Sequence, residues 1–336
     1  MPIVFITKMD GGGMETFCLE LLRAWVAQGI GATLYVSHHG GDRECDIPVR
    51  VERVCWDIRA KLVFLKLACW LRKRSNDPCL ALSQELAVVL LILKKLRIIR
   101  NRIYFRESSD VVWHYNARFK HLMRWLWPSL DGIIEQSHVG EEATRKICEG
   151  KLPPCLVVRN IMPTPLVQSV SWAFHQPIQL ACIGSFKPMK GQRYLVEELI
   201  EEANPDWHLT FWGDGADRNN VFTLVRNKVL EDRVCFHDWE HDKEKIYAVT
   251  DVVVIPSDYE GLPNVMLEAI LYRKRVSVRP TCVGACELLN KLGVPDTWPW
   301  RKALEISEET WNKARNILVE ICNPSKVAET ILEFMS

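Results

Sequence analysis

Short apolar runs alternate with helix-length amphipathic stretches along nearly the whole chain, and they do so in two consecutive series. In the first series "PIVFIT" (2–7), "ATLYVS" (32–37), "CLALS" (79–83), "IYFRES" (103–108) and "GIIEQS" (132–137) have the length and residue types of buried strands. Between the first two, "METFCLELLRAWVAQG" places Phe17, Leu21, Leu22 and Trp25 at helical spacing and closes on Gly29. Further helical stretches cover about 84–96 and 116–129. A strand, a helix and another strand in that rhythm connect parallel neighbours through right-handed crossovers, which predicts an α/β fold on a parallel sheet.

The strand-like "CLVVRNIMPTP" (155–165) runs into prolines and suits a hinge. A second series follows it: "IQLACIG" (178–184), a helix over about 191–202, "WHLTFWGDG" (207–215), a helix over about 217–230, "RVCFHDW" (233–239), a helix over 242–249 and "DVVVIPS" (251–257). At 336 residues the chain is longer than one core usually serves, so two parallel-sheet domains are expected. Their expected bounds are 1–159 and 160–322, with a C-terminal helix in 323–336 packing back toward the first.

Charge separates the two halves. Residues 1–160 hold 24 Lys+Arg against 17 Asp+Glu, whereas 161–336 hold 19 against 25, so the halves are expected to face different partners. The basic excess is modest and no nucleic-acid recognition module stands out, which argues against a nucleic-acid partner. Twelve cysteines include no C-x-x-C pair, and Cys282 and Cys286 fit zinc spacing poorly, so free thiols in a reducing compartment are expected. "MPIVFITKMD" has neither a basic leader nor a small-residue cleavage site, and the apolar run "LAVVLLIL" (86–93) is too short to span a bilayer. A cytoplasmic protein is the expectation.

Four stretches carry chemistry. "DGGG" opens the first helix directly after the first strand, where backbone amides can meet an anion or simply make a tight turn. "GSFKPMKG" (184–191) sets Lys187 and Lys190 at a strand end beside a helix start, a clamp suited to a diphosphate. "WGDG" (212–215) ends another strand with glycines that admit either a ligand or a turn. In "SDYEGLPNVMLEAI" (257–270), Pro263 marks a helix start. Glu260 then lies on the loop before the helix and Glu268 about one and a half turns inside it. Carboxylates so placed accept hydrogen bonds from sugar diols, and the amides between Leu262 and Val265 suit phosphate; by themselves the two glutamates could equally be one surface and one capping residue.

Taken in this order, the four stretches resemble the retaining glycosyltransferases of family 4, which have the GT-B fold of two Rossmann-like parallel-sheet domains facing a central cleft. The most specific part is the glutamate-x7-glutamate motif, matched by Glu260 and Glu268 with Gly261, Leu262, Pro263, Asn264 and Val265 between them. The resemblance implies that Glu260 contacts donor-sugar hydroxyls, Glu268 holds the nucleotide ribose and Lys190 binds the diphosphate. It places Gly12, Gly13, Gly184, Ser185, Lys187, Gly213 and Asp214 against the donor, with Glu260 and Lys190 as the catalytic pair. Family members often carry arginine where this chain has Ser185, which leaves the diphosphate to Lys190 and, as a substitute, Lys187.

The resemblance further implies front-face substitution of a sugar from a nucleotide diphosphate sugar, UDP-hexose or UDP-N-acetylhexosamine, onto a lipid-linked or surface-glycan acceptor. No nucleophile–base pair and no Asp-x-Asp motif is present, so no metal or other cofactor is expected. Acceptor contacts are expected from the first domain, with Arg106, Glu107 and His114 as candidates. "RAKLVFLKLACWLRKR" (59–74) and "ARFKHLMRWLWPSL" (117–130) are basic and aromatic together, and predict peripheral binding to an anionic membrane surface on its cytoplasmic face. A non-catalytic sugar-nucleotide-binding protein and an inverting transferase or epimerase are the alternatives.

Overall fold

The computed structural model describes residues 1–10, 12–56, 60–108, 116–163, 165, 172, 174–202 and 206–336, with the backbone alone at 60–63. The chain divides into two compact units, Met1–Pro163 together with Ile321–Ser336, and Thr164–Glu320.

Among its described residues the first unit holds seven parallel strands: β1 (Ile3–Ile6), β2 (Thr33–Val36), β3 (Glu52–Val54), β4 (Cys79–Ala81), β5 (Ile103–Arg106), β6 (Gly132–Glu135) and β7 (Cys155–Val157). Their order in the sheet is β3-β2-β1-β4-β5-β6-β7. The apolar runs are continuous because helices cover both faces. On one face Ile3, Phe5, Ala81, Phe105 and Ile133 pack with Leu90 and Leu91 of α3 (Gln84–Lys95). On the other, Val4, Ile6, Leu80, Tyr104 and Ile134 pack with Phe17, Leu21 and Trp25 of α1 (Gly13–Ala27). Alternate residues of each strand thus serve opposite cores, as the twofold period of a strand requires.

The last helix of the chain (Pro324–Phe334) joins this second core through Ala328 and Ile331, and its Ala328 carbonyl accepts the Trp25 indole N–H at 3.0 Å. The two basic-aromatic stretches form α2 (Ala60–Arg72) and α4 (Ala117–Leu126). Leu67 and Leu71 of α2, and Met123, Leu126 and Trp127 at α4, lie in the core rather than on an apolar surface. The basic residues form the rim. Lys66 lies over Trp56, Arg74 over Trp70 with an ion pair to Glu52, and Lys95 over the exposed Trp125. No helix among the described residues is long and apolar enough to cross a membrane.

The second unit holds β8 (Ile178–Ile183), β9 (Trp207–Trp212), β10 (Val234–His237), β11 (Val252–Ile255) and β12 (Arg275–Val278), all parallel, in the order β10-β9-β8-β11-β12. The α/β fold class and the strands named from the sequence are present. Sequence patterning passed over β3, where two of three residues are charged, and β12, whose "RVSV" follows a basic run. In β12 the buried Arg275 lies against Phe174 and donates to the Trp172 carbonyl at 2.7 Å.

Candidate active site

Strand order in the second sheet reverses between β8 and β11, since the chain from β8 builds outward through β9 and β10 and then returns to β11 on the other side. Loops leaving neighbouring strands in opposite directions open a crevice at their carboxyl ends, where α/β sheets bind ligands. The loops at that point are 184–191 after β8 and 256–263 after β11.

These two loops are fastened together. Gly191 has φ +70°, and a Cβ there would stand 2.1 Å from the Pro256 carbonyl oxygen, so only glycine fits. The Asp258 amide donates to the Met189 carbonyl at 2.9 Å. Lys190 is thereby delivered to Glu260, with Nζ 2.8 Å from Oε1. The Ser257 hydroxyl donates to the same Oε1 at 2.7 Å. Glu260 is mostly buried, so the pair is shielded from solvent more than a surface ion pair would be.

Glu268 lies on α9 (Asn264–Leu271), which follows the second loop. Its Oε2 accepts from Tyr247 at 3.0 Å and pairs with Lys243 at 2.9 Å, both from α8 (Lys243–Ala248). Tyr247 is buried and stacks on Tyr272 with ring centroids 4.6 Å apart; burial first, then the Glu268 charge, pushes its phenol well above its ordinary pKa. It therefore stays a proton donor. Each glutamate is held through one oxygen by one hydroxyl and one lysine.

Pro263 is the N-cap of α9 in extended conformation, one residue before the helix proper, and its own side chain makes no capping hydrogen bond. Leu262 is buried beneath it, and Gly261, Asn264 and Val265 are partly exposed. Gly184 and Ser185 begin the first loop, where the Ser185 carbonyl accepts from Gln192 at 3.1 Å. Lys187 is exposed with no ion-pair partner among the described residues. The "WGDG" turn lies against this loop: a Cβ on Gly213 would stand 2.3 Å from the Gly184 carbonyl oxygen, and the Asp214 carbonyl accepts the Phe186 amide at 2.9 Å. What comes close to Gly213 is thus the neighbouring loop. Ser257, Tyr247 and Lys243 went unnoticed in the sequence, where a serine after a strand and a tyrosine in a helix carry no signal of their own.

In the first unit, Gly12 is the extended N-cap of α1 and Gly13 its first residue. The half-buried Glu15 folds its carboxyl back onto this turn, so a Cβ on Gly12 would stand 2.5 Å from its Oε2. Arg106 ends β5 buried, flat against the Phe17 ring at 3.7 Å and bonded to Asn160, and burial pushes its guanidinium down to about 9. Glu107, also buried, accepts the Ser108 amide at 3.0 Å. Burial and the Glu107 charge push the neighbouring Glu135 carboxyl up, although Thr144 donates to it at 2.6 Å. His114 lies outside the described residues. Among the described residues no group of three or more His, Cys, Asp or Glu is gathered to hold a metal ion.

The chain is similar to known glycosyltransferases. The family model "Glycosyl transferases group 1" matches residues 177–336, which is the second unit with the end of the chain. The lipopolysaccharide core biosynthesis glycosyltransferase LpsE of Rhizobium meliloti is 28% identical over 283 residues, covering 77% of this chain and 73% of LpsE. An Escherichia coli UDP-Gal:alpha-D-GlcNAc-diphosphoundecaprenol alpha-1,3-galactosyltransferase is 33% identical over 92 residues, 26% of this chain and 24% of that protein. Among solved structures, Anabaena HepE in complex with UDP superposes with a TM-score of 0.80 at 17% identity, over 99% of both chains. HepE with UDP-glucose gives 0.77 at 18% identity, over 99% of this chain and 98% of that one.

Proposed function

We propose that this glycosyltransferase, an enzyme of GT-B architecture, moves a hexose or N-acetylhexosamine from a UDP-sugar to a lipid-linked or surface-glycan acceptor with retention of configuration. The observation that carries the proposal is the meeting of Lys190 and Glu260 on one oxygen at the β8–β11 switch point, 2.8 Å apart.

The chemistry follows from what these groups can do. The donor's diphosphate draws the Lys190 ammonium away from Glu260, and Lys187 and the dipole at the start of α9 add positive potential beside it. Negative charge grows on the leaving phosphate as the glycosidic bond breaks, and donors already in place stabilise it without reorganising. Glu260 then offers its second oxygen to the sugar hydroxyls, and Glu268 offers its other oxygen to the ribose diol. In front-face substitution the departing phosphate takes the acceptor's proton, so no side-chain base is required. The UDP and UDP-glucose bound by HepE, the lipopolysaccharide core biosynthesis in the name of LpsE and the diphosphoundecaprenol acceptor in the name of the Escherichia coli relative support the choice of substrates.

The acceptor is proposed to meet the carboxyl edge of the first sheet, with Arg106 and Glu107 shaping that edge from within and His114 as a further candidate contact. The basic rim of α2 and α4, with exposed Trp125, is proposed to rest on an anionic membrane at its cytoplasmic face. A donor screen by nucleotide release, over UDP- and GDP-hexoses and UDP-N-acetylhexosamines, tests the reaction. Release with a UDP-sugar is expected, and Glu268→Ala is expected to abolish donor-dependent thermal stabilisation. No release and no stabilisation across the panel would overturn the proposal.

A further inference from the structure

We infer that Ser257 is the positioning residue for Glu260, and that Thr281 acts on Glu260 through it; this rests on Glu260 as the residue that holds the donor sugar. Ser257 follows β11 and is 2% exposed. Its hydroxyl donates to Oε1 of Glu260 at 2.7 Å, the oxygen that Lys190 also reaches. Its backbone carbonyl is held in turn from the loop after β12, accepting the Thr281 hydroxyl at 2.9 Å and the buried Cys282 thiol at 3.3 Å. Strand pairing explains why the two loops meet, because Ile255 and Val278 are partners at the ends of β11 and β12.

The two holds on Oε1 differ in kind. An ammonium is a compact charge with three rotatable donors, so it fixes the position of a carboxylate poorly. A hydroxyl on a buried backbone fixes a direction. Once a diphosphate engages Lys190, Ser257 is the donor left on Oε1. It keeps the carboxylate plane fixed, so that Oε2 points where the sugar hydroxyls arrive. Thr281 keeps the Ser257 backbone from turning away. The consequence is felt by the sugar and not by the nucleotide.

The test uses the full chain with UDP for binding and, for turnover, the UDP-sugar that the wild type consumes fastest. Ser257→Ala is expected to lower kcat about 10- to 100-fold, the loss of one hydrogen bond to a charged group. Donor KM and UDP affinity should stay within about threefold of wild type, as expected of a contact not made to the nucleotide. Ser257→Thr, which keeps the hydroxyl, should recover most of kcat. Thr281→Val should lower kcat a few-fold in the wild-type background and have no further effect beside Ser257→Ala, since the two act along one line. Unchanged kcat in Ser257→Ala overturns the role of Ser257, as does a parallel loss of kcat and UDP affinity, which marks a merely structural residue. Additive losses in the double variant overturn the part given to Thr281. A wild type that binds no UDP and turns over no donor overturns instead the reading of the site itself.

Discussion

Tyr247 donates its phenol to Oε2 of Glu268 at 3.0 Å, and this directional bond holds the carboxylate where Lys243 alone would leave it free to swing. The arrangement repeats the one at Glu260 with different residues. In both, a buried hydroxyl orients and a lysine supplies charge, and one carboxylate oxygen is left for a ligand.

Nucleotide binding should therefore depend on Glu268 strongly and on Tyr247 in part. Glu268→Ala is expected to weaken UDP binding about 100-fold, as loss of charge-assisted bonds to a diol would. Tyr247→Phe keeps the stack on Tyr272 and removes only the bond, so about a fivefold to tenfold weakening is expected. Isothermal titration with UDP measures both. Equal affinities in wild type and Glu268→Ala would remove Glu268 from the ribose site.

Lys190 should matter for turnover more than for recognition, because the charge it meets grows as the bond to the leaving phosphate breaks. Lys190→Ala is expected to lower kcat by roughly 10²- to 10³-fold, the range for removal of one preorganised donor. Steady-state nucleotide release checks this. A loss under about fivefold would shift the catalytic role to Lys187.

Gly191 is set by backbone contact and not by any ligand. Gly191→Ala would force a Cβ into the Pro256 carbonyl at a left-handed φ, and the second unit should lose about 2–4 kcal/mol. Thermal unfolding should show a fall of roughly 5–10 °C. No shift would mean that the two loops are not fastened at this point.

The sheet was legible in the sequence because parallel strands covered on both faces read as unbroken apolar runs, such as "VVVI" in β11. The glutamates and Lys190 were legible because strand, glycine and helix signals flank them. The residues that hold them were not. Ser257, Tyr247 and Thr281 reach their partners through the fold, and a hydroxyl leaves no mark in apolar periodicity. The burial of Trp127 within the stretch 117–130 was not legible, because a basic helix has the same composition whichever face is buried. The structure places it in the core beside Phe105, with ring centroids 5.3 Å apart.

Glu135 gives the first unit a pH dependence of definite sign. Burial and the Glu107 charge raise its pKa in the fold, opposed by the Thr144 bond and the Arg106 charge, with Glu141 adding a smaller upward push. A carboxyl whose folded pKa lies above its unfolded value stabilises the fold while protonated. That contribution is complete below the ordinary carboxylate range and is lost as pH rises through the raised value. Denaturant unfolding of the wild type should therefore show stability falling as pH climbs above the ordinary carboxylate range. Glu135→Gln, which cannot ionise, should flatten that decline. An identical slope in the variant would mean that Glu135 ionises in the fold as readily as outside it.

Membrane association, if it rests on the basic rim, should yield to charge reversal at residues that the fold does not need. Arg74 is a poor choice, since it is paired to Glu52 and lies over Trp70, and its reversal would set two acids side by side. Lys73 and Arg118 are exposed on the two basic stretches and hold no ion pair among the described residues. Each lysine or arginine near an anionic surface contributes about 1 kcal/mol, so reversing both should weaken binding well beyond 10-fold. Flotation with vesicles of phosphatidylglycerol and phosphatidylethanolamine should carry the wild type upward at low salt and leave Lys73→Glu/Arg118→Glu at the bottom. Raising the salt should release the wild type too, because exposed charges are screened within about 10 Å at 0.1 M. Flotation that survives both changes would mean that the rim is not what holds the protein to lipid.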